Sequence, residues 1–240
     1  MSENYYAGAY WGARKESAAR CATRAEAFFR AAADVDASLS HWFQQGKSRK
    51  DALRRPIEIS QATLESIIRR GQDRVVEELG FRFSAWNGAS DDDAAVGVDA
   101  TCGGYSARVG NFCFLQLPSR GLGSERVLTA GALEALVRGM AIAWEPDSAI
   151  ATSSAHRDMV TATPKPGTFI GWVTYLSRHR GTVPPLPAPV RVEPVEDKGT
   201  LIVLTPERFT ASNPEHVALA ERVHELLDRA GVLKPLQVQP

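Results

Sequence analysis

Residues 81–117 limit what this chain can fold into more than any other stretch. They read FRFSAWNG, then AAVGVDATCGGYSARV, then NFCFLQLP. Three strand-like runs are separated by Gly, Asn, Asp and Ser clusters, the spacing of an antiparallel meander. In the first run Phe81, Phe83 and Ala85 fall on one face, and Arg82, Ser84 and Trp86 on the other. In the last, Phe112, Phe114 and Gln116 oppose Cys113, Leu115 and Leu117. A sheet with an apolar face must be covered.

The rest of the chain supplies the cover. Tyr5–Trp11 is dense in aromatics and reads as a strand. Residues 15–33 carry an apolar stripe at helical spacing, with Glu16, Arg20, Arg24 and Arg30 largely outside it. Pro56 and Ile57 suit a linker or short edge strand, and Ser60 caps an expected helix through about Leu79, with Gly71 a weak point. Residues 118–124 read as a loop. The stripe Leu133, Leu136, Val137, Met140, Ala141 and Trp144 then marks a helix that Pro146 ends. Residues 148–152 and 169–177 read as strands, and 156–160 as a helical turn. The proline-dense residues 182–189 form a connector. Residues 190–195 and 200–204 form a hairpin with Gly199 at its tip. A last helix starts at Ser212 or Asn213 with Pro214 at its first position and stops at Gly231. The tail from Lys234 is expected to be loose. Roughly eight strands and four or five helices make an α+β fold, a largely antiparallel sheet covered by helices. A single domain over 1–240 is expected, with 189–232 as a hairpin–helix subunit too small to stand alone.

A 240-residue chain of this kind needs no covalent staples. Lys plus Arg and Asp plus Glu both number 28, so the formal charge is zero. That removes the basic excess of a direct nucleic-acid binder. The N-terminal MSENYYAGAYWGARKES has neither a basic nor an apolar signal region, and no run approaches the roughly 20 apolar residues of a membrane span. Cys21, Cys102 and Cys113 are widely spaced and suit buried thiols. Together these features predict a cytoplasmic protein.

Few residues suggest chemistry. Ser153, Ser154 and His156 put hydroxyls beside an imidazole, but without a nucleophile elbow. His179 has no neighbour of metal-ligand type, and His216 and His224 lie too far apart on one helix to share an ion. His41 sits between Ser40 and Trp42. Gly121 and Gly123 lack the third glycine of a dinucleotide loop. No catalytic residue, metal or cofactor is expected. The basic residues Lys47, Arg49, Lys50, Arg54 and Arg55 suit a solvated helix face, or contact with phosphate or an acidic partner. Asp91, Asp92 and Asp93 crowd an expected hairpin tip, where mutual repulsion contributes nothing to folding. They read as a solubilising turn or as an acidic prong for a basic partner. Their spacing does not suit calcium. Glu145 and Asp147 form a second acidic cluster. Trp86 and Trp42 abut polar turns and are the tryptophans expected to be exposed. Candidate partner-binding residues are therefore Asp91, Asp92, Asp93, Trp86, Glu145 and Asp147.

Five segments carry a resemblance: YYAGAYWGARKES, WFQQGKSRKDAL, WEPDSAIATS, GWVTYLS and LTPERFTASNPEHVALAERV. In this order, and spread over nearly the whole length, they resemble the immunity protein 52 family of bacterial polymorphic toxin systems. The resemblance implies a cytoplasmic antitoxin, encoded beside a toxin, that binds it to prevent self-killing. It further implies that the toxin is a nuclease. It brings no catalytic or contact residues with it. Two other readings stand beside it: a small hydrolase or transferase with a scattered site, and a scaffold that pairs with itself. The oligomeric state is open between monomer and homodimer.

Overall fold

Ten strands join edge to edge in one antiparallel sheet. The computed structural model describes residues 3–160 and 163–236. In chain order the strands are β1 (Tyr5–Trp11), β2 (Trp42–Phe43), β3 (Pro56–Ile57), β4 (Phe81–Trp86) and β5 (Gly97–Cys102). Then come β6 (Asn111–Gln116), β7 (Ser148–Ser153), β8 (Val173–Ser177), β9 (Arg191–Val195) and β10 (Gly199–Val203). The helices are α1 (Ala18–Val35), α2 (Arg49–Ala52), α3 (Gln61–Arg70), α4 (Gly121–Val127), α5 (Ala130–Trp144), α6 (Ser154–Val160) and α7 (Pro214–Arg229). Across the sheet the order is β3-β2-β4-β5-β6-β1-β7-β8-β10-β9. The expected α+β class holds, and β4-β5-β6 is the meander read from the sequence.

One face of the sheet is closed by helices. α1 packs between α3 and α5, and α5 lies over β1, β7 and β8. Beneath them β1 sends Tyr5, Ala7, Ala9 and Trp11 into the core. Trp144, at the end of α5, stacks on Trp11 with ring centroids 5.3 Å apart and also meets Phe28 and Phe83. Phe29 continues the chain of rings to Trp42. Trp42 is therefore buried, not exposed as expected, and its Nε1 donates to Leu39 O.

Other differences have local causes. α3 stops at Arg70 because the chain turns at Gly71 to reach β4. Arg82 N donates to Gly71 O, and a Cβ on Gly71 would lie 1.7 Å from Arg82 O. The expected loop at 121–124 is the start of α4, drawn into a turn as Val127 and Leu128 enter the core. Strand β8 begins only at Val173, since the Thr174 hydroxyl accepts from Gly171 N and turns the chain there. The tail begins anchored, not loose: Leu233 is buried and Arg180 donates to Lys234 O. Its last four residues lie outside those described.

Asn111, at the start of β6, ties this frame together. Its Oδ1 accepts from Gly104 N at 2.8 Å, while its Nδ2 donates to Gly12 O at 2.7 Å and Gly104 O at 2.9 Å. The side chain is 1% exposed, so no water can substitute. Asn111→Ala leaves Gly104 N and Gly12 O without this partner, while Gly104 O keeps Arg14 N, and is expected to lower stability by on the order of 2 kcal/mol. Urea unfolding of the two proteins checks this, and a loss under about 1 kcal/mol would contradict it.

Candidate functional site

The two acidic clusters lie at opposite ends of the strands. Residues 91–93 sit in the β4–β5 loop, beside the end of β6 and the start of β1. Asp147 precedes β7, whose first residue pairs with Tyr10 near the end of β1. Six-residue strands separate such ends by about 20 Å, so the structure does not bring the clusters together.

Their side chains also do different things. Asp91 caps a 3-10 turn by accepting from Asp93 N, and Asp91 and Asp92 are exposed. Asp93 is half-buried and accepts from the Ser119 hydroxyl at 2.6 Å. The basic stretch comes close here, with Arg49 donating to Ser90 O. Glu145 ends α5 in the left-handed region at φ 46°. It pairs with Arg24 and Lys198, both at 2.9 Å, and Lys198 and Arg24 hold its carboxyl pKa down at about 2. Asp147 accepts from Gly12 N at 2.8 Å and meets His179 Nε2 at 2.6 Å. Glu145 and Asp147 are thus engaged within the chain.

This end of α5 is a clamp that the sequence pattern did not show. Arg24 is buried rather than outside the apolar stripe. It donates to Ala143 O and to Glu16, and Arg14 donates to Trp144 O and Glu145 O. The two guanidiniums satisfy carbonyls that every helix end leaves free.

The histidines have partners but no catalytic geometry. His179, expected to stand alone, touches both Asp147 Oδ1 and Ser177 Oγ through the same Nε2, at 2.6 and 3.1 Å. A Ser-His-Asp relay needs the acid on one ring nitrogen and the hydroxyl on the other. His156 is buried against Phe209, with Nδ1 beside the Thr152 hydroxyl and its backbone N–H donating to Ser153 Oγ. His216 accepts from Thr210 N, and His224 Nε2 lies 3.1 Å from Thr168 O. His41 meets only Ser40. All three thiols are free and buried. Among the described residues no group of three or more His, Cys, Asp or Glu side chains is placed to hold a metal.

The second face of the sheet is different. Directly opposed residues in antiparallel strands share a face. That puts Arg82, Thr101, Phe112, Tyr10 and Ser148 in one cross-strand row. The next row holds Ser84, Asp99, Phe114, Gly8 and Ile150, and the third Trp86, Gly97, Gln116 and Tyr6. Over β7 and β8 this face is covered. α6, residues 163–171 and α7 pack there, with Tyr6, Ile150 and Phe169 as a small second core. Over β4, β5 and β6 it is bare. Arg82, Asp99 and Gln116 are exposed, and a Cβ on Gly97 would meet nothing within 4 Å. Trp86 lies here half-buried, its ring 6.3 Å from Phe43. A shallow depression of about 520 Å³ runs between Arg82, Asp99 and Phe114.

Comparison with known proteins places this arrangement. Residues 3–236 match the family described as immunity protein 52. The chain belongs to the immunity protein 52 family. In solved structures a similar fold occurs in the Pseudomonas aeruginosa T6SS protein PA0821, at a TM-score of 0.57 and 14% identity, covering 95% of this chain and 73% of that one. No curated protein matches. Family membership gives the chain an immunity role and a cognate toxin as partner. No single helix among the described residues is long and apolar enough to cross a membrane.

Burial makes His156 of this immunity protein sensitive to acid. It lowers the His156 pKa from 6.5 to about 4, with Glu3 opposing the shift. The folded state therefore keeps His156 neutral where the unfolded chain already binds a proton. Stability is complete above pH 6.5 and falls as the pH drops from 6.5 to 4. The expected loss is on the order of 3 kcal/mol. His156→Gln should flatten that slope. Urea unfolding at several pH values checks both statements; equal slopes in the two proteins would refute the assignment. Glu145 contributes separately, at lower pH, between 4.5 and about 2.

Proposed function

We propose that this chain neutralises its cognate toxin by covering the toxin's working surface, and that the toxin is a nuclease. The match to the immunity protein 52 family over residues 3–236 carries the first part. Two further observations support it. Among the described residues, the Ser177, His179 and Asp147 grouping has the wrong connectivity for a relay. A large part of one sheet face is left bare and carries Trp86, Phe112 and Phe114, aromatic side chains of the kind enriched where partners meet. The neighbour of similar fold is named a T6SS protein, which fits a role in competition between bacteria.

The nuclease part rests on charge. An enzyme that grips phosphates presents basic surface. Asp91 and Asp92 project at a loop tip, and neither takes part in an ion pair among the described residues. Trp86 stands at the strand end that feeds this loop and supplies an aromatic anchor. Glu145 and Asp147, held inside the α5 clamp, support the fold instead.

The test separates the three aspartates. The double variant Asp91→Ser, Asp92→Ser is expected to slow association with the toxin several-fold, on the order of 3- to 10-fold at low salt, and the difference should fade above the screening concentration. Asp93→Ser should act mainly on stability, because it removes the acceptor of the Ser119 hydroxyl. Stopped-flow association of the purified pair at several salt concentrations measures this. An association rate indifferent to the double substitution at low salt removes the nuclease-mimic reading and leaves the immunity role standing.

A further inference from the structure

We infer that the toxin docks on the bare half of the second sheet face and seats one protruding side chain in the pocket beside Tyr10. This rests on the immunity reading and names its contact surface. Four observations bear on it.

The first is the pocket itself. A cavity of about 170 Å³ opens where the covered half of the face meets the bare half. Tyr6, Tyr10, Phe114 and Ser148 line it on the sheet side, and Pro166 and Phe169 wall it on the other. Phe114 also lines the open depression, so pocket and depression are one continuous surface. Gly8 makes the site possible: a Cβ there would lie 2.4 Å from the Tyr10 hydroxyl, so the Tyr10 ring lies across it.

The second is a pair of buried hydroxyls without partners. Ser148 Oγ and Thr101 Oγ1 are in side chains 4% and 5% exposed, and neither forms a hydrogen bond. Native chains rarely leave buried polar atoms so. Both stand on this face, Ser148 in the pocket and Thr101 in the depression. Both oxygens are closed to solvent, so a partner's polar group reaches them only as the side chains around them shift on docking.

The third is that the sheet edges are closed. β3 begins with Pro56 and β9 carries Pro194 in its interior, and a proline has no N–H to offer an added strand. On β9, Arg191 and Glu193 are further tied to each other, and Arg191 to Glu134. Recognition by strand addition is therefore disfavoured, and the open face remains.

The fourth is charge. Arg82 and Asp99 are exposed on adjacent strands, diagonally placed, and neither forms an ion pair among the described residues. They fit a toxin surface that flanks its apolar or aromatic knob with one carboxylate and one cation. A second copy docked face to face offers the same opposed charges, and its aromatics on this face are engaged with one another: Tyr6 stacks on Phe114 at 5.1 Å and Trp86 leans on Phe43. The pocket thus favours a different partner.

Gly97 provides the test, because a side chain there enters open space and its φ is not positive. Full-length protein is titrated calorimetrically with the purified toxin encoded beside it. Gly97→Trp is expected to weaken binding at least about 100-fold with an unchanged melting temperature. The paired exchange Arg82→Glu, Asp99→Lys is expected to weaken it about 10-fold. Gly131→Trp, at the exposed start of α5 on the helix side, should bind as the wild type does. If both face variants bind like the wild type, the toxin uses another surface; the proposal is overturned and the immunity reading stands. If the wild type itself does not bind, the immunity reading falls and the proposal with it. If the wild type sediments as a dimer that Gly97→Trp breaks, the occupant is a second copy and the toxin assignment is overturned.

Discussion

A ten-stranded antiparallel sheet has two faces, and this chain has helices enough for only one of them along its full width. That imbalance shapes everything else. α3, α1 and α5 form the complete layer, and the aromatic chain from Trp42 through Phe29 and Phe83 to Trp144 and Trp11 is sealed beneath it. The later elements, α6, residues 163–171 and α7, reach across the other face only as far as β1. Burial of large rings stabilises the first face by roughly 2 to 3 kcal/mol for each fully covered side chain. The bare half of the second face gains no such term. Arg82, Ser84, Asp99 and Gln116 are interleaved there with partly covered Phe112 and Phe114. This stretch carries three aromatic side chains, Trp86, Phe112 and Phe114, and two charged ones, Arg82 and Asp99.

The α5 clamp shows why acidic residues are poor guides on their own. Glu145 and Asp147 look, in the sequence, like the tips of a charged patch. In the fold each is drawn inward. Glu145 sits at a left-handed helix end between Arg24 and Lys198, and Asp147 bridges Gly12 and His179. Arg24 and Glu16 are both nearly buried, so this network depends on every member being paired. It joins α1, α5, β1 and the β9–β10 turn at one end of the strands, while the Asp91–Asp92 loop lies at the other.

Much of the architecture was legible because it followed period and punctuation. The meander, the stripe from Leu133 to Trp144, the Ser60 and Asn213 caps and the 190–204 hairpin all rest on local rules. The failures were places where a distant contact overrode them. Gly71 ends α3 because β4 lies against it, and Thr174 turns the chain at Gly171 with its own hydroxyl. Trp42 lies just before a polar turn yet enters the core, where it packs on Phe29. The candidate site was less legible still. Trp86 and Arg82 were placed on the face opposite Phe83, as they are. Nothing in the sequence said that no helix would return to cover them. Which face of a sheet stays bare is decided by where the last helices go, and that is a property of the whole topology.

The bare face also fits how an inhibitor must act. A chain of zero net charge has no long-range field to steer a partner from every side. Its selectivity must come from shape and from a few local charges. A rigid sheet suits that task, because its side chains are fixed by neighbours on both flanks and little rotamer freedom remains to be lost on binding. Tyr10 across Gly8 and Phe114 on Tyr6 are already held before any partner arrives. Ser148 Oγ and Thr101 Oγ1 are buried on the same face without partners, an arrangement that folded chains seldom keep.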